Sequence, residues 1–319
     1  MATFIGLGEG LLRLSPPNHE RIEQANSFEI QIGGAELNVA VALSRLGIDS
    51  AWISKLVNNS IGRLIVNRAR QYGVDVSRVV WSDTGRVGIY FLEVGATPRA
   101  NLVIYDRANS AINTLRADEL DWDFISKAKV MHTTGITPAL SDSARKLVED
   151  VVKRLKEIDV LLSFDVNYRS KLWSPDEARE TLLKILPHVD FLFVTYEDAK
   201  SVLMMDGAPE EVVKQLRKEF ASVVAMLTFT EGGAMLCADG ETVHYHPPYK
   251  ISLVDRLGAG DAFVAGALSG WLDGLPWDKC LAKAVAMAAL KCTIPGDFAI
   301  VEKDELETLL SSSSIAVRR

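Results

Sequence analysis

Val254-Asp255-Arg256-Leu257-Gly258-Ala259-Gly260-Asp261-Ala262-Phe263 is the stretch on which the reading of this chain turns. Residues 249–254 ahead of it are patterned as a strand, and residues 262–272 behind it are small and apolar over a helical length. Two glycines at such a junction let the backbone turn tightly and leave the first helical N–H groups without intrahelical partners. Those donors and the positive end of the helix dipole make a cradle for an anion. Asp261 stands in that cradle. Taken alone, it reads most simply as a helix cap. The sharper reading is phosphoryl transfer: the backbone at Gly258, Ala259 and Gly260 holds the migrating group while Asp261 accepts the proton of an attacking hydroxyl.

Composition narrows what surrounds this stretch. Of 319 residues 48% are hydrophobic, enough for a sizeable core. At about 150 residues per domain the length suits two domains, or one large α/β domain with a small appendage. A net charge of −7 argues against nucleic acid as partner, which calls for clustered Lys and Arg. Cys237, Cys280 and Cys292 are widely spaced and read as reduced, buried thiols of a cytoplasmic protein. The first residues run straight into a strand and no apolar run reaches membrane-spanning length, so neither a leader nor a membrane partner is expected.

Towards the N-terminus, residues 2–6 read as a buried strand leading into Gly6-Leu7-Gly8-Glu9-Gly10. A dinucleotide fingerprint needs a helix directly after its glycines, whereas residues 11–17 look extended and end in two prolines. Residues 28–32 alternate as a half-exposed strand, and Gly33-Gly34-Ala35-Glu36 opens a helix that Gly47 closes. Paired glycines there admit a ligand close to the backbone, with Asn38 one turn on; an ordinary turn with a surface Asn is the other reading. Strands at 50–56 and 76–81 with a helix at 61–72 set a βαβ rhythm, hence a parallel sheet with helices on both faces. Residues 87–94 and 101–105 interrupt it as a hairpin. With the two N-terminal extended segments they make a small separate sheet, serving as a lid, as an oligomer edge, or both. Arg107, where that hairpin ends, has the planar guanidinium that suits a carboxylate or phosphate.

The rhythm resumes with a strand at 130–134, a helix at 141–157 and a strand at 160–165 that ends in Asp165-Val166-Asn167-Tyr168-Arg169. In an open parallel sheet, residues just past strand C-termini line the ligand crevice. Asn167 and Arg169 share a side if the chain stays extended. After the strand at 191–195, Glu197 and Asp198 either anchor hydrated Mg²⁺ or simply complement a helix dipole. Residues 228–233 are small and hydroxylated, fit for a nucleotide's phosphate and ribose, or for a plain hairpin turn. His244 and His246 face one way but lack a third ligand, and no metal is assigned to them.

Two of these motifs carry a family resemblance. Gly33-Gly34-Ala35-Glu36-Leu37-Asn38-Val39-Ala40 resembles the N-terminal, substrate-side motif of ribokinase-type (PfkB-type) sugar kinases, and residues 255–263 resemble their C-terminal anion-hole and base motif. Residues 105–111, 164–169 with Leu172-Trp173, and Pro295-Gly296-Asp297-Phe298 make the chain most similar to 2-keto-3-deoxygluconate kinases. The resemblance implies a single domain over residues 1–319, a three-layer α/β/α core with a mostly parallel sheet, and a lid formed by about 11–33 and 86–107. It implies Gly33, Gly34, Asn38, Tyr90, Tyr105, Arg107, Arg169 and Asp297 around an acid sugar, with Asp261 as base and Arg169 beside the reacting groups. It implies Asn167, Thr228, Thr230, Gly233, Gly258 and Gly260 near ATP, Glu197 or Asp198 holding Mg²⁺ through water, and K⁺ near Asp255. Two departures bear on the ions: the family's Asn-x-x-Glu appears as Thr195-Tyr196-Glu197-Asp198, and Arg256-Leu257 replaces the commoner small or Thr pair. No Gly-x-x-x-x-Gly-Lys-Ser/Thr stretch exists, so a P-loop is excluded as the phosphate holder. The expected activity is ATP-dependent phosphorylation of 2-keto-3-deoxygluconate by a cytoplasmic homo-oligomer. A fructokinase or other neutral-sugar kinase is the alternative, and a non-catalytic sugar-acid sensor the third reading.

Overall fold

Phe191 and Phe193 face one hydrophobic core while Leu192 and Val194 face another. That period of two is what a strand shows when both of its faces are covered. The same alternation runs through neighbouring strands: Phe4 against Ile5 and Leu7, Val130 against Met131, and Val224 and Met226 against Ala225 and Leu227. The structure, a computed structural model, describes residues 2–229 and 233–311.

Its strands are β1 (Phe4–Leu7), β2 (Leu11–Ser15), β3 (Glu29–Gly33), β4 (Ser50–Ile53), β5 (Lys55–Val57), β6 (Val80–Ser82), β7 (Gly88–Glu93), β8 (Leu102–Asp106), β9 (Val130–Thr134), β10 (Leu161–Asp165), β11 (Phe191–Thr195), β12 (Val224–Phe229), β13 (Gly233–Cys237) and β14 (Val243–His246). The main sheet runs β14-β13-β12-β11-β10-β9-β1-β4, parallel from β4 to β12 and antiparallel through β13 and β14. Helices Ala35–Arg45, Ser60–Gln71, Ala259–Leu272 and Trp277–Lys291 cover one face. Helices Asp142–Glu157, Pro175–Ile185 and Pro209–Glu219 cover the other, giving the three layers that the alternating pattern implies. Local chemistry starts these helices where they are needed. Asn59 accepts from the Ile61 and Gly62 N–H groups, Ser141 from Ala144, and Ser174 with Glu177 forms a capping box.

The small sheet is separate, in the order β3-β2-β7-β8. The expected hairpin is the antiparallel pair β7 and β8, and the two N-terminal segments join it as β2 and β3. Register places Gln31, Arg13, Tyr90 and Tyr105 in one cross-strand row. Among side chains of this sheet, Ile30, Leu102 and Ile104 are about half exposed.

Three expectations change. Residues 249–254 form no strand: they follow Pro247 and Pro248, find no ladder partner, and leave Leu253 60% exposed. The run 50–56 splits at Ser54 into β4 and β5. Of residues 76–81 only Val80 and Trp81 enter a strand, and that strand, β6, pairs with β5 outside the main sheet. No helix among the described residues is long and apolar enough to cross a membrane.

Candidate active site

A cleft of about 570 Å³ opens at the C-terminal ends of β10, β11 and β12, where a parallel sheet binds ligands. Asp165, Thr195 and Thr228 reach it from the strands, and Gly258 to Asp261 reach it from the start of helix Ala259–Leu272. Gly258 has φ 83°, and a Cβ there would stand 2.0 Å from the Asp297 carbonyl oxygen, so glycine is required on both counts. The Ala259 N–H closes a turn onto the Arg256 carbonyl at 3.2 Å. Gly258 and Gly260 line the cleft at a helix start, where N–H groups have no intrahelical partner.

Asp261, at the third helical position, is buried and accepts a 2.6 Å hydrogen bond from Asn38 Nδ2. Asn38 comes from helix Ala35–Arg45, whose first turn is set by Gly34 at φ 147°, pressed against the Glu9 carbonyl. Burial pushes the Asp261 carboxyl up to about 7, against the pull of Asn38 and Arg169 and helped by the charges of Asp297 and Glu36. A carboxylate that titrates near neutrality beside unpaired amide donors can take a proton from one group while its neighbours hold an anion.

The floor of the cleft is crowded with acid. Asp165 is pushed up to about 8, first by burial and then by the charges of Asp261 and Asp198. Asp198 is raised as well, chiefly by burial. Carboxylates that raise one another make a place that suits a cation, and Asp165, Glu197 and Asp198 line it together. Among the described residues no three His, Cys, Asp or Glu side chains are grouped to ligate a metal directly, so the set suits a hydrated Mg²⁺. Thr195 Oγ1 accepts from the Asp198 N–H at 3.0 Å, which makes the departure from Asn a helix cap. Asn167 and Arg169 both line the cleft, but not by extended alternation. Asn167 is left-handed, φ 40°, and is tied to Asp165 through its N–H at 3.2 Å and its Nδ2 at 3.1 Å. Arg169 is exposed, with a long 3.5 Å bond to the Tyr168 carbonyl.

A second constellation joins the small sheet to the helix start. Asp297 accepts from Tyr90 Oη at 2.6 Å and from Arg13 at 2.8 Å, and Gly33 packs against the same carboxylate. The Arg13 guanidinium also pairs with Asp255 at 2.7 Å. The Tyr105 ring lies tilted against that of Tyr90, with centroids 5.8 Å apart. Arg107 is buried over the Tyr105 ring and bound to Glu9, with its Nε 2.9 Å from the carboxylate, which Ser110 Oγ also contacts. Thr228 and Gly233 line the cleft, beside an apolar wall of Phe229, Tyr249, Val285, Ala288 and Ala289. Thr230 lies outside the described residues.

Sequence reasoning missed Glu9, Arg13 and Asp165. Asp165 had a signal: an acid that ends an apolar run at the C-terminus of a parallel strand. Arg13 had a weaker one, a single charge inside Leu11-Leu12-Arg13-Leu14.

A profile of pfkB family carbohydrate kinases matches residues 3–304. The 2-dehydro-3-deoxygalactonokinase of Haloferax volcanii is 42% identical, covering 100% of this chain and 99% of its own. The crystal structure of 2-dehydro-3-deoxygluconokinase from Thermotoga maritima superposes with a TM-score of 0.93 at 35% identity, over 98% of this chain and 100% of that one. A sugar kinase from Pyrococcus horikoshii, solved in complex with ATP, superposes with a TM-score of 0.79 at 27% identity, over 95% of this chain and 96% of that one.

Proposed function

The chain belongs to the pfkB family of carbohydrate kinases, and from that premise we propose that it transfers the γ-phosphoryl group of ATP to the terminal hydroxyl of 2-keto-3-deoxygluconate. Asp261 carries this reading: a buried carboxyl pushed up to about 7 at the start of a helix whose first residues line the cleft. It accepts the hydroxyl proton as the oxygen attacks, and Asn38 aims it. Phosphoryl transfer asks more for positioning and charge neutralisation than for a strong base. The Gly258 and Gly260 amides and the helix dipole steady the negative charge of the migrating group.

ATP with Mg²⁺ supplies the phosphoryl group and part of its charge neutralisation. The apolar wall around Tyr249 and Ala288 accepts the purine, and Asn167, Thr228 and Gly233 face the ribose and phosphates. Asp165, Glu197 and Asp198, which line the cleft together, would hold the ion through water. That a Pyrococcus horikoshii relative was solved in complex with ATP supports ATP as the phosphoryl donor.

For the sugar, Gly33, Gly34, Tyr90, Tyr105 and Asp297 form a polar wall on the side of the small sheet, which closes as a lid and excludes water. Arg169 and Arg107 provide the countercharge for the acid. Because Arg107 is engaged by Glu9, an incoming carboxylate competes with Glu9 for its guanidinium. The half-exposed Ile30, Leu102 and Ile104 of the lid form an apolar strip on which two copies associate.

The epimeric 2-keto-3-deoxygalactonate is the second reading, favoured by the 42% identity to a kinase named for it. ADP release across both keto-deoxy acids, fructose and ribose tests the assignment. One or both acids should exceed the neutral sugars by about 100-fold in kcat/KM, because a neutral sugar can neither pair with Arg169 nor compete with Glu9 for the Arg107 guanidinium. Preference for fructose overturns the acid-sugar reading. Ligand-induced thermal stabilisation without ADP from any sugar makes the protein a sensor.

A further inference from the structure

The loop before the active-site helix is tied down from below by a lysine. Lys291, the last residue of helix Trp277–Lys291, is 0% exposed. Its Nζ donates to the Asp255 carbonyl at 3.1 Å and to the Ile294 carbonyl at 3.0 Å. These carbonyls belong to the two segments that shape the anion cradle. Residues 254–258 lead directly into it, and residues 292–297 pack beneath Gly258, whose missing Cβ leaves room for the Asp297 carbonyl. The segments are also stitched by the Val254 and Asp255 N–H groups, both on the Cys292 carbonyl at 2.9 and 3.1 Å, and by Gly296 N–H on Asp255 Oδ2 at 3.1 Å.

Converging backbone carbonyls beside a carboxylate are also the chemistry that binds a bare monovalent cation. A K⁺ ion does not fit this set. Both carbonyls are occupied by the ammonium, and the Asp255 carboxylate is ion-paired with Arg13 and accepts from Gly296 N–H and Leu257 N–H. Charge points the same way. Arg13 and Lys291 face Asp255 and Asp297, two cations to two anions in a buried site, and a further cation would leave one positive charge unmatched.

We propose that the buried ammonium of Lys291 acts as a built-in monovalent cation: it holds the Asp255 and Ile294 carbonyls together, keeps the Gly258–Gly260 donors aimed at the migrating phosphoryl group, and makes catalysis independent of added K⁺. Lys291 is thus a positioning residue, acting through the cradle. The inference rests on the kinase reading of the same site.

ADP release is measured in KCl, NaCl and choline chloride at equal ionic strength, which keeps screening constant. The native protein should vary by less than about twofold among the salts. Lys291→Ala should lose about 100-fold in kcat in choline, the scale of a misplaced active-site group, and recover much of it in K⁺, NH₄⁺ or methylammonium. A purely structural lysine would not show that recovery. Several-fold activation of the native protein by K⁺ overturns the proposal. So does a Lys291→Ala variant as active as the native protein in choline, or a folded variant that no cation restores. If the variant does not fold, the native salt series alone decides. If no sugar releases ADP in any salt, the substrate assignment has failed, and thermal shift then decides this inference. The native Tm should show no K⁺-specific rise, and a K⁺-specific rise in the native protein overturns it.

Discussion

On one side of the helix start, Asp255 and Asp297 are met by Arg13, Lys291, Tyr90 and backbone N–H groups. On the other side, Asp165, Asp198 and Asp261 crowd together with Arg169 as the cation that lowers all three. Burial raises these three and Asp297 alike, so what separates the two groups is their partners. The two groups flank the same helix start and are made of the same residue type. The difference separates acids that build the site from acids that await a ligand. A neutralised group gives up its reactivity for rigidity, whereas an under-neutralised one is costly in the empty protein and is repaid by metal or proton.

Removing a charge should therefore have opposite effects on the two sides. The largest effect is on chemistry: Asp261→Asn should lower kcat by about 10³-fold or more with sugar binding nearly intact, measured by ADP release and calorimetry. Turnover near the native rate would put the proton acceptor elsewhere. Next, Arg13→Met leaves Asp255 and Asp297 buried without their shared guanidinium and should cost about 3–5 kcal/mol in urea unfolding. A loss below about 1 kcal/mol would mean that the neutral group is not the rigid one.

Smaller effects sharpen the contrast. Arg107→Ala should raise KM for a keto-deoxy acid about tenfold more than for fructose, and equal changes would confine Arg107 to its pair with Glu9. The base works deprotonated, so kcat/KM should fall as pH drops below about 7, the value at which Asp261 is held. Stability has the opposite sign. A carboxyl raised in the folded state stabilises at low pH, and that contribution is lost as pH rises through the folded value. Asp165→Asn should thus be more stable than the native protein in metal-free buffer above about pH 8, and Mg²⁺ should narrow the gap. A variant less stable there would show that Asp165 belongs with the neutralised acids.

Strands β9 to β12 were legible because burial on both faces leaves continuous apolar runs, and Gly258 and Asp261 because a glycine bend before an apolar helix has few other uses. Residues 249–254 misled because Tyr249, Ile251, Leu253 and Val254 have strand composition; only the ladder, absent after Pro248, decides whether such a run pairs. Arg13 and Lys291 were hidden for a different reason. A charged residue in a strand or in the last turn of a helix ordinarily faces water, and the acids that bury these two lie 284 and 36 residues away in sequence. Arg107 was legible as an anion binder, but its partner Glu9 sits within a glycine cluster that looks like a nucleotide fingerprint.

The hydrogen bond from Asn38 to Asp261 joins residues 223 apart. During synthesis at about 5–20 residues per second, β1, β4 and β9 can pair long before the segment carrying Asp261 leaves the ribosome. On the proposed mechanism, a growing or prematurely terminated chain would therefore have strands on which to fold but neither the proton acceptor nor the amide cradle, and nucleotide use would wait for the C-terminal helices.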